Sequence, residues 1–350
     1  MAQINKPSDY FNTKLYTGNG IGSSRSLTGV GFKPDFVWHK TRSSSGNNQL
    51  YDVVRGAGEV IQSDNNSAEV TNLADGYLSS FDSDGFTMTD GASSDYYSNE
   101  SGKTYATWNW LADNTSGSSN TDGSITSTVS ANTTSGFSIG TYSGNSTTGA
   151  TVGHGLGSAP SMVIVKKTNN VGDWYCYHSG IGATAFIKLN DTGASATNTL
   201  WNNTAPTSSV FSMDSNGAVN GSGDSYVFYA FAEKKGFSKF GSYTGNGNAD
   251  GTFVYTGFKP AWVMFKGSSF SGENWDMYDN KRETFNVMDT TLKADSAGAE
   301  SSNSLFNVDF LSNGIKLRNG HTGINQSGST YIYMAFAEEP LVGDNPCTAR

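Results

Sequence analysis

Cysteine, proline and charge are all scarce in this sequence. Its 350 residues include two cysteines and seven prolines, and charged residues make up 15 %, against the ~25 % typical of globular domains. Two cysteines cannot form a disulfide scaffold, so we expect free thiols and synthesis in a reducing compartment. Aromatic residues reach 13 %, which is too many for a disordered chain.

Positive charge and long apolar runs are also missing. Lys and Arg number 22 against 31 Asp and Glu, for a net charge of −9, whereas nucleic-acid binding needs a basic surface. No stretch approaches the ~20 apolar residues that cross a bilayer. The N-terminal "MAQINKPSDYF" lacks the apolar segment of a secretory signal. We therefore expect no nucleic-acid partner, no membrane insertion and synthesis in the cytoplasm.

What the sequence does contain is glycine, aromatic residues and self-similarity. The stretch "YTGNG" at 16–20 returns at 243–247, with "YSGNS" at 142–146. "GFKPDFVWHK" at 31–40 matches "GFKPAWVMFK" at 257–266 and, more loosely, "GSAPSMVIVK" at 157–166. "YATWNWLAD", "YVFYAFAE" and "YIYMAFAE" close the three blocks at 105–113, 226–233 and 331–338. The order of these signals is the same each time, which indicates three homologous repeats.

The repeat length predicts domains, because about 100 residues exceeds the ~20–50 of a solenoid unit and suits a unit with its own core. We predict a first repeat with an N-terminal arm at 1–113 and a Ser/Thr/Gly/Asn linker at 114–136. The second repeat spans 137–235, the third 236–340, and a C-terminal tail 341–350.

Strand and turn signals predict an all-β fold. Apolar runs follow the aligned Pro34, Pro160 and Pro260 and read as strands buried on both faces. Asp-Gly or Asn-Gly pairs at 84–85, 216–217 and 313–314 are hairpin signals. Turn signals recur about every 8–12 residues, as in sandwiches. The predicted architecture is three tandem β-sandwich repeats of the jelly-roll or lectin-like kind.

Two tryptophans are candidates for ligand binding. Trp174 and Trp275 occupy aligned positions next to polar loops, and the first repeat has Asn48 there. An aromatic residue that is optional between repeats is a candidate for an exposed stacking platform. The alternative is packing at the edge of the sheet.

A spaced Asp/Arg pair is the second candidate. Asp52 and Arg55 recur as Asp279 and Arg282, whereas the second repeat has His178 at the Asp position. The pattern favours a local ion pair that fixes a loop. The alternative is contact with a glycan or a partner protein.

No catalytic, metal-binding or cofactor-binding pattern is found. None of the four histidines lies in an H-E-x-x-H or C-x-x-C neighbourhood, and G-x-S-x-G and phosphate-loop motifs are absent. No acidic residue recurs in all three repeats beside a recurring aromatic residue. We predict no metal, no cofactor and no enzymatic activity. A polysaccharide depolymerase, which would confine catalysis to one repeat, remains the less favoured alternative.

Several strings together resemble a poorly characterised family of repeat-containing virion proteins of marine tailed bacteriophages. They are "INKPSDYFNTKLYTGNG", "GVGFKPDFVWHKTRS", "TDGSITSTVSANTTSGFSI", "VGHGLGSAPSMVIVKK", "FGSYTGNGNADGTFVYTGFKPAWVM" and "STYIYMAFAEEP". The resemblance covers essentially the whole chain. It implies a structural particle protein, such as a fibre, spike or decoration, and it implies no catalytic residues.

The expected role is therefore an exposed virion appendage, either a tail fibre or a tail-associated component that attaches to host-surface glycan. The alternative is a capsid decoration or head fibre that binds the capsid lattice. Expected partners are other tail or capsid proteins, with host glycan as a ligand. By analogy with phage fibres we expect a homotrimer, and an open edge strand would supply its interface.

Overall fold

The computed structural model describes residues 4–20, 24–341 and 346. Its regular secondary structure is almost entirely antiparallel strand, which confirms the all-β prediction. The first repeat holds a short 3₁₀ helix, Pro7–Asp9, and nine strands. The strands are β1 Phe11–Thr17, β2 Arg25–Thr28, β3 Phe36–Thr41, β4 Gln49–Asp52, β5 Glu59–Gln62, β6 Val70–Thr71, β7 Tyr77–Asp82, β8 Gly85–Thr89 and β9 Thr104–Trp110.

The next ten strands run from the expected linker through the second repeat. They are β10 Ser118–Asn120, β11 Ser127–Asn132, β12 Phe137–Ser143, β13 Ala150–Gly153, β14 Met162–Lys167, β15 Trp174–His178, β16 Ala185–Lys188, β17 Ala196–Thr197, β18 Val210–Met213 and β19 Ser225–Phe231.

The third repeat holds nine strands and two short helices. The strands are β20 Ser238–Thr244, β21 Phe253–Tyr255, β22 Phe258–Gly267, β23 Asp276–Asp279, β24 Thr290–Lys293, β25 Ser301–Ser302, β26 Val308–Leu311, β27 Gly314–Leu317 and β28 Thr330–Pro340. The helices are a 3₁₀ turn, Ser304–Phe306, and a single α turn, α1 Thr322–Asn325.

The three large sheets share one strand order. The closing strand of each repeat (β9, β19 or β28) lies between the opening strand (β1, β12 or β20) and the strand at the aligned proline (β3, β14 or β22). Their orders are β1-β9-β3-β4-β5-β6, β12-β19-β14-β15-β16-β17 and β20-β28-β22-β23-β24-β25, with β10-β11 added beside β12. Small sheets β2-β8-β7, β13-β18 and β21-β27-β26 face them. Each large sheet encloses a local core with its small sheet, which is a β-sandwich arrangement.

The strands β3 and β14, which follow Pro34 and Pro160, and β22, which contains Pro260, are buried on both faces, as predicted. All six residues of β3 are buried, because one face packs on the small sheet and the other on a core shared by all three repeats. In that shared core the rings of Phe36 and Tyr229 are 4.5 Å apart, and those of Trp110 and Trp262 are 5.8 Å apart. Each repeat therefore has a local core, and all three repeats also share a common core.

The expected linker is corrected by the structure. Residues 114–136 contain β10 and β11, and β11 pairs with β12 from Ser127 to Asn132. Burial alternates at the start of this strand, with Ser127 and Val129 buried and Thr128 exposed. A strand built from Ser, Thr and Asn has the composition of a flexible linker, so composition alone could not distinguish the two.

Two of the three predicted hairpins form. Ser83-Asp84 joins β7 to β8, and Ser312-Asn313 joins β26 to β27, so each turn lies one residue before the predicted pair and the glycine begins the next strand. The Asn216-Gly217 hairpin is wrong, since residues 214–224 contain no strand. Of the two cysteines, Cys176 is free and buried, and Cys347 lies outside the described residues.

Candidate functional site

Each YxGN stretch begins with a tyrosine that stacks on the first tyrosine of the closing strand. In the second repeat the rings of Tyr142 and Tyr226 lie 5.1 Å apart at 13°. The Tyr142 hydroxyl donates to Val219 O at 2.6 Å, while that of Tyr226 donates to Gly217 O and accepts from Gly221 N. The equivalent stacked pairs are Tyr16–Tyr105 and Tyr243–Tyr331. The motif recurs because it anchors the loop before each closing strand.

The glycine and asparagine of the motif complete this turn. A Cβ on Gly144 would lie 2.3 Å from Gly221 O, so only glycine permits the close approach. Asn145 N donates to Asn220 Oδ1 at 2.9 Å, and Asn220 Nδ2 donates to Thr147 O at 3.0 Å. Asn99 and Asn325 take the same role in the other repeats. Sequence reasoning missed these three asparagines, although each stands six residues before its closing tyrosine.

The two Asp/Arg pairs form local ion pairs, in agreement with the favoured interpretation. Arg55 Nε contacts Asp52 Oδ2 at 2.6 Å, and Arg282 Nε contacts Asp279 Oδ2 at 2.5 Å. The arginine and aspartate side chains are at most 3 % exposed. Asp52, Asp279 and Arg282 are fully buried, so their alternative interpretation as ligand contacts is wrong. Only Arg55 borders a surface cleft, where its guanidinium is already bonded to carboxylates.

Each aspartate also accepts a hydrogen bond from another repeat. The Tyr229 hydroxyl donates to Asp52 Oδ2 at 2.7 Å, which joins the first and second repeats. Trp108 Nε1 donates to Asp279 Oδ2 at 3.0 Å, which joins the first and third. The two aspartates therefore form hydrogen bonds across the junctions between repeats.

His178 occupies the aspartate position in the second repeat and joins it to the third. Gly180 N donates to Nδ1 at 3.0 Å, so the other ring nitrogen, Nε2, carries the proton and donates to Tyr333 O at 3.1 Å. Burial is the main reason that the pKa of His178 falls to about 4. The imidazole is therefore neutral in the folded protein at pH 7.

The two candidate tryptophans lie in the same junctions and are buried. Trp174 is 0 % exposed and Trp275 is 1 % exposed. Trp174 Nε1 donates to Gln62 O at 2.9 Å in the first repeat, and Trp275 Nε1 donates to Lys188 O at 2.9 Å in the second. Asn48 at the equivalent position donates to Lys293 O in the third. The predicted stacking role is wrong, because these side chains are buried and form hydrogen bonds to the neighbouring repeat.

Backbone hydrogen bonds repeat at all three junctions and close the chain into a ring. Each junction has one pair of them, running in both directions. The pairs are Glu69 N to Thr168 O with Gly172 N to Asn66 O, Ser195 N to Ser268 O with Gly272 N to Thr192 O, and Glu300 N to Arg42 O with Gly46 N to Ala297 O. The third repeat thus contacts the first as the first contacts the second.

A polar cleft of about 700 Å³ lies between the first and second repeats. Its walls come from β5, β6, β11, β12 and the start of β19. The lining hydroxyl and amide groups belong to Thr71, Thr126, Ser127, Thr128, Thr141, Ser143, Thr168, Asn169 and Ser225. Because β11 supplies one wall, the cleft depends on the segment that composition had indicated as a linker.

Two carboxylates face this cleft beside Arg55. Glu69 Oε2 is 2.7 Å from Arg55 Nη1, and Glu59 Oε2 accepts from the Thr71 hydroxyl at 2.9 Å. Burial raises the pKa of Glu69, although Arg55 opposes the shift. Burial alone would lower the pKa of Arg55, but the charges of Asp52 and Glu69 outweigh it and raise the pKa above the ordinary value. The cleft offers hydroxyl, amide and carboxylate groups to a hydroxyl-rich ligand.

Within the part of the chain that the structure describes, no group of three or more His, Cys, Asp or Glu residues could hold a metal ion. Over the same residues, no helix has the length and apolar character needed to cross a membrane.

A family model described as a domain of unknown function, DUF7483, matches residues 6–340. No curated protein matches the chain, and no solved structure matches it.

Proposed function

Since the chain belongs to the DUF7483 family, whose function is unknown, we propose a function from its own residues and geometry. It is a structural protein of a phage particle, exposed on the outside as a tail fibre or tail-associated component. Its role is attachment to glycan on the host surface. The virion assignment is supported by the motif resemblance described above, and the attachment role by the cleft.

The ring architecture supports a structural role. Aromatic side chains fill the shared core, and buried ion pairs and backbone hydrogen bonds occupy the junctions. Buried polar groups of this kind are rigid when all their partners are present. Such a scaffold suits a particle component that must hold its surface loops in fixed positions.

The polar cleft is the observation that carries the attachment role. Specific polar ligands are bound through a few placed hydrogen-bonding groups in a concave site, and this cleft of about 700 Å³ is lined by side-chain hydroxyls, Asn169 and two carboxylates. Carbohydrate hydroxyl groups both donate and accept, which matches the mixed donors and acceptors of the lining. The ligand expected from this chemistry is a hydroxyl-rich glycan.

Glycan-array binding of the purified chain tests the cleft. We expect the wild type to bind at least one host-surface glycan, and Glu59→Gln and Thr128→Ala to weaken that binding at least five-fold. Ser242→Ala, at an exposed position of the third repeat, is the matched control and should bind as the wild type does. Absence of binding to any host glycan, or equal binding by all four proteins, would refute attachment through the cleft.

We propose no catalysis at this cleft. The Glu69 carboxylate is bonded to Arg55 and the Glu59 carboxylate to Thr71, whereas glycoside hydrolysis requires one carboxyl group that transfers a proton and a second that acts as base or nucleophile. Incubation with a bound glycan should release no shorter products. The appearance of such products would instead support the depolymerase alternative.

A capsid decoration is the second candidate, and the ring favours it. Three similar repeats in cyclic contact resemble a cyclic trimer, and such an arrangement suits a threefold position of a particle lattice. In that case the purified chain would bind to isolated capsids and would bind no glycan.

A further inference from the structure

The opening strands β1, β12 and β20 form equivalent edges of the three large sheets, and each edge is treated differently. All three pair on one side with their closing strand. On the other side each edge lies beside the end of the preceding closing strand around the ring.

The edge of β12 is occupied by a strand of the same chain. β11 pairs antiparallel with β12, with Thr128 opposite Thr141 and Ser130 opposite Ile139. Side chains of β11 also reach the end of the first repeat. Ser130 Oγ donates to Asp113 Oδ1 at 2.5 Å, and Asn132 Nδ2 donates to the backbone oxygen of the residue before Asp113 at 2.9 Å.

The edge of β20 is capped by side chains at Phe240 and Thr244, on either side of Ser242. Glu233 Oε2 faces Phe240 N at 3.5 Å, and Glu233 also forms an ion pair with Lys239 at 2.7 Å. The Thr252 hydroxyl donates to Thr244 O at 2.8 Å. Side-chain caps of this sort are a known protection of edge strands against added strands.

Among the described residues, the edge of β1 is open along its middle, and Arg25 Nη1 caps only Thr17 O at its end. Tyr10 O accepts from Leu111 N, and Gly18 N donates to Lys103 O, so the even-numbered residues between them face β9. The odd-numbered Thr13 and Leu15 therefore direct their backbone groups away from β9. Within the described residues, no hydrogen bond to the backbone groups of these two is found.

A pocket of about 170 Å³ lies beside this open edge, between β1 and the end of the third repeat. Thr13, Asn280, Glu338 and Glu339 are among the residues that line it. Asn280 Oδ1 and Thr13 Oγ1 are buried without a hydrogen-bond partner, although buried polar atoms normally have one. By the strand registers, Glu339 stands where Asp113 stands at the first junction. The pocket is the counterpart of the space that Ser130 and Asn132 fill there.

We propose that the open edge of β1 docks an extended strand from a partner protein. The strand runs antiparallel to β1, bonds to the backbone of Thr13 and Leu15, and ends in the pocket. It has small hydroxyl and amide side chains at alternate positions, so that a hydroxyl donates to Glu339 as Ser130 donates to Asp113. Strand addition of this kind gains affinity from main-chain bonds and specificity from pockets for alternate side chains.

A peptide with the sequence of residues 124–134, "SITSTVSANTT", is the probe, because β11 already binds the equivalent edge. We expect the labelled peptide to bind the full chain by fluorescence anisotropy, while a scrambled peptide does not bind. Hydrogen exchange at Thr13 and Leu15 should slow at least ten-fold on binding. Replacing the serine that corresponds to Ser130 by alanine in the peptide should weaken binding at least five-fold, a test that leaves the protein unchanged.

Matched proline variants locate the binding edge. Leu15→Pro removes an outward N–H of β1 and should weaken peptide binding at least ten-fold, while Ser242→Pro at the equivalent position of β20 should not. Melting curves of both variants check that each one folds. Absence of peptide binding, or protection at Ile139 and Thr141 instead of Thr13 and Leu15, would overturn the proposal. So would binding that requires removal of residues 342–350, because the occupant would then be the chain's own terminus.

Discussion

The hydroxyl of Tyr229 in the second repeat donates a 2.7 Å hydrogen bond to Oδ2 of Asp52 in the first. Asp52 at the same time pairs with Arg55, and all three side chains are buried. The bond therefore joins two repeats through a charge that has no access to water. Trp108 and Asp279 repeat this relationship between the first and third repeats, so two of the three junctions contain this contact.

Removal of this hydroxyl should weaken the whole chain. Tyr229→Phe leaves a buried charge one hydrogen bond short, and hydrogen bonds to charged groups contribute about 1.5–3 kcal/mol. We expect a decrease of that size in the free energy of unfolding, measured by urea denaturation. Tyr175→Phe is the control, because the Tyr175 hydroxyl has no hydrogen bond within the described residues, and it should change stability by less than ~0.5 kcal/mol. Equal effects of the two variants would argue against the junction bond.

Trp174 should be a stability residue with no part in ligand binding. Trp174→Ala empties a buried junction, and truncations of this kind cost about 3–5 kcal/mol. Trp174→Phe keeps most of the volume but loses the bonds to Gln62 O and Asn65 O, so it should cost less and leave glycan binding unchanged. The neighbouring Val171→Ala, at a 61 % exposed position, serves as the control. A Trp174→Phe protein of normal stability that binds no glycan would restore the stacking interpretation.

Acid should loosen the junction between the second and third repeats through His178. Its pKa is lowered by burial from 6.5 to about 4 in the folded protein, so the unfolded chain binds more protons between these values. The stability from neutral His178 is full above pH 6.5 and is lost as the pH falls towards 4, by roughly 2–3 kcal/mol. Other groups titrate in the same window, so the measurement is the difference between wild type and His178→Gln.

The amide of His178→Gln can still donate a hydrogen bond but cannot titrate. We therefore expect its free energy of unfolding to fall less than that of wild type between pH 6.5 and 4. Parallel pH profiles for the two proteins would show that His178 does not gain its proton on unfolding.

The glycine of each YxGN motif should tolerate no side chain. Gly144→Ala would place a Cβ 2.3 Å from Gly221 O, and overpacking typically costs about 1–3 kcal/mol, more where backbone must move. The control Gly217→Ala has its nearest atom at 3.9 Å and should be close to neutral. Similar melting temperatures for the two variants would contradict the role of Gly144 in the turn.

Local features of the fold could be predicted from the sequence, and contacts between repeats could not. The recurrence of YxGN and of the closing tyrosine located the opening and closing strands, because both signals lie within one repeat. Trp174 contacts Gln62 O and Asn65 O, more than 100 residues away, and no pattern in one repeat reveals a neighbour from another. A buried junction and an exposed binding platform both tolerate a tryptophan that is absent from one repeat, so the alignment could not separate them.

The strand β11, which was predicted to be part of a linker, also could not be recognised from the sequence of one repeat. The Ser, Thr and Asn residues of β11 have few apolar contacts of their own, and the strand forms because β12 offers it an edge. The cleft, which β11 helps to build, was invisible for the same reason. The candidate residues predicted from the sequence therefore lie in the junctions between repeats. The cleft is formed in part by β11, whose composition had predicted a linker.

Localisation on intact virions, with gold-labelled antibody against the purified chain, tests the proposed function most directly. We expect label on the outside of phage particles, at the tail. Label spread over the capsid faces would contradict the tail assignment in favour of a decoration, and absence of label from purified particles would contradict a virion role altogether.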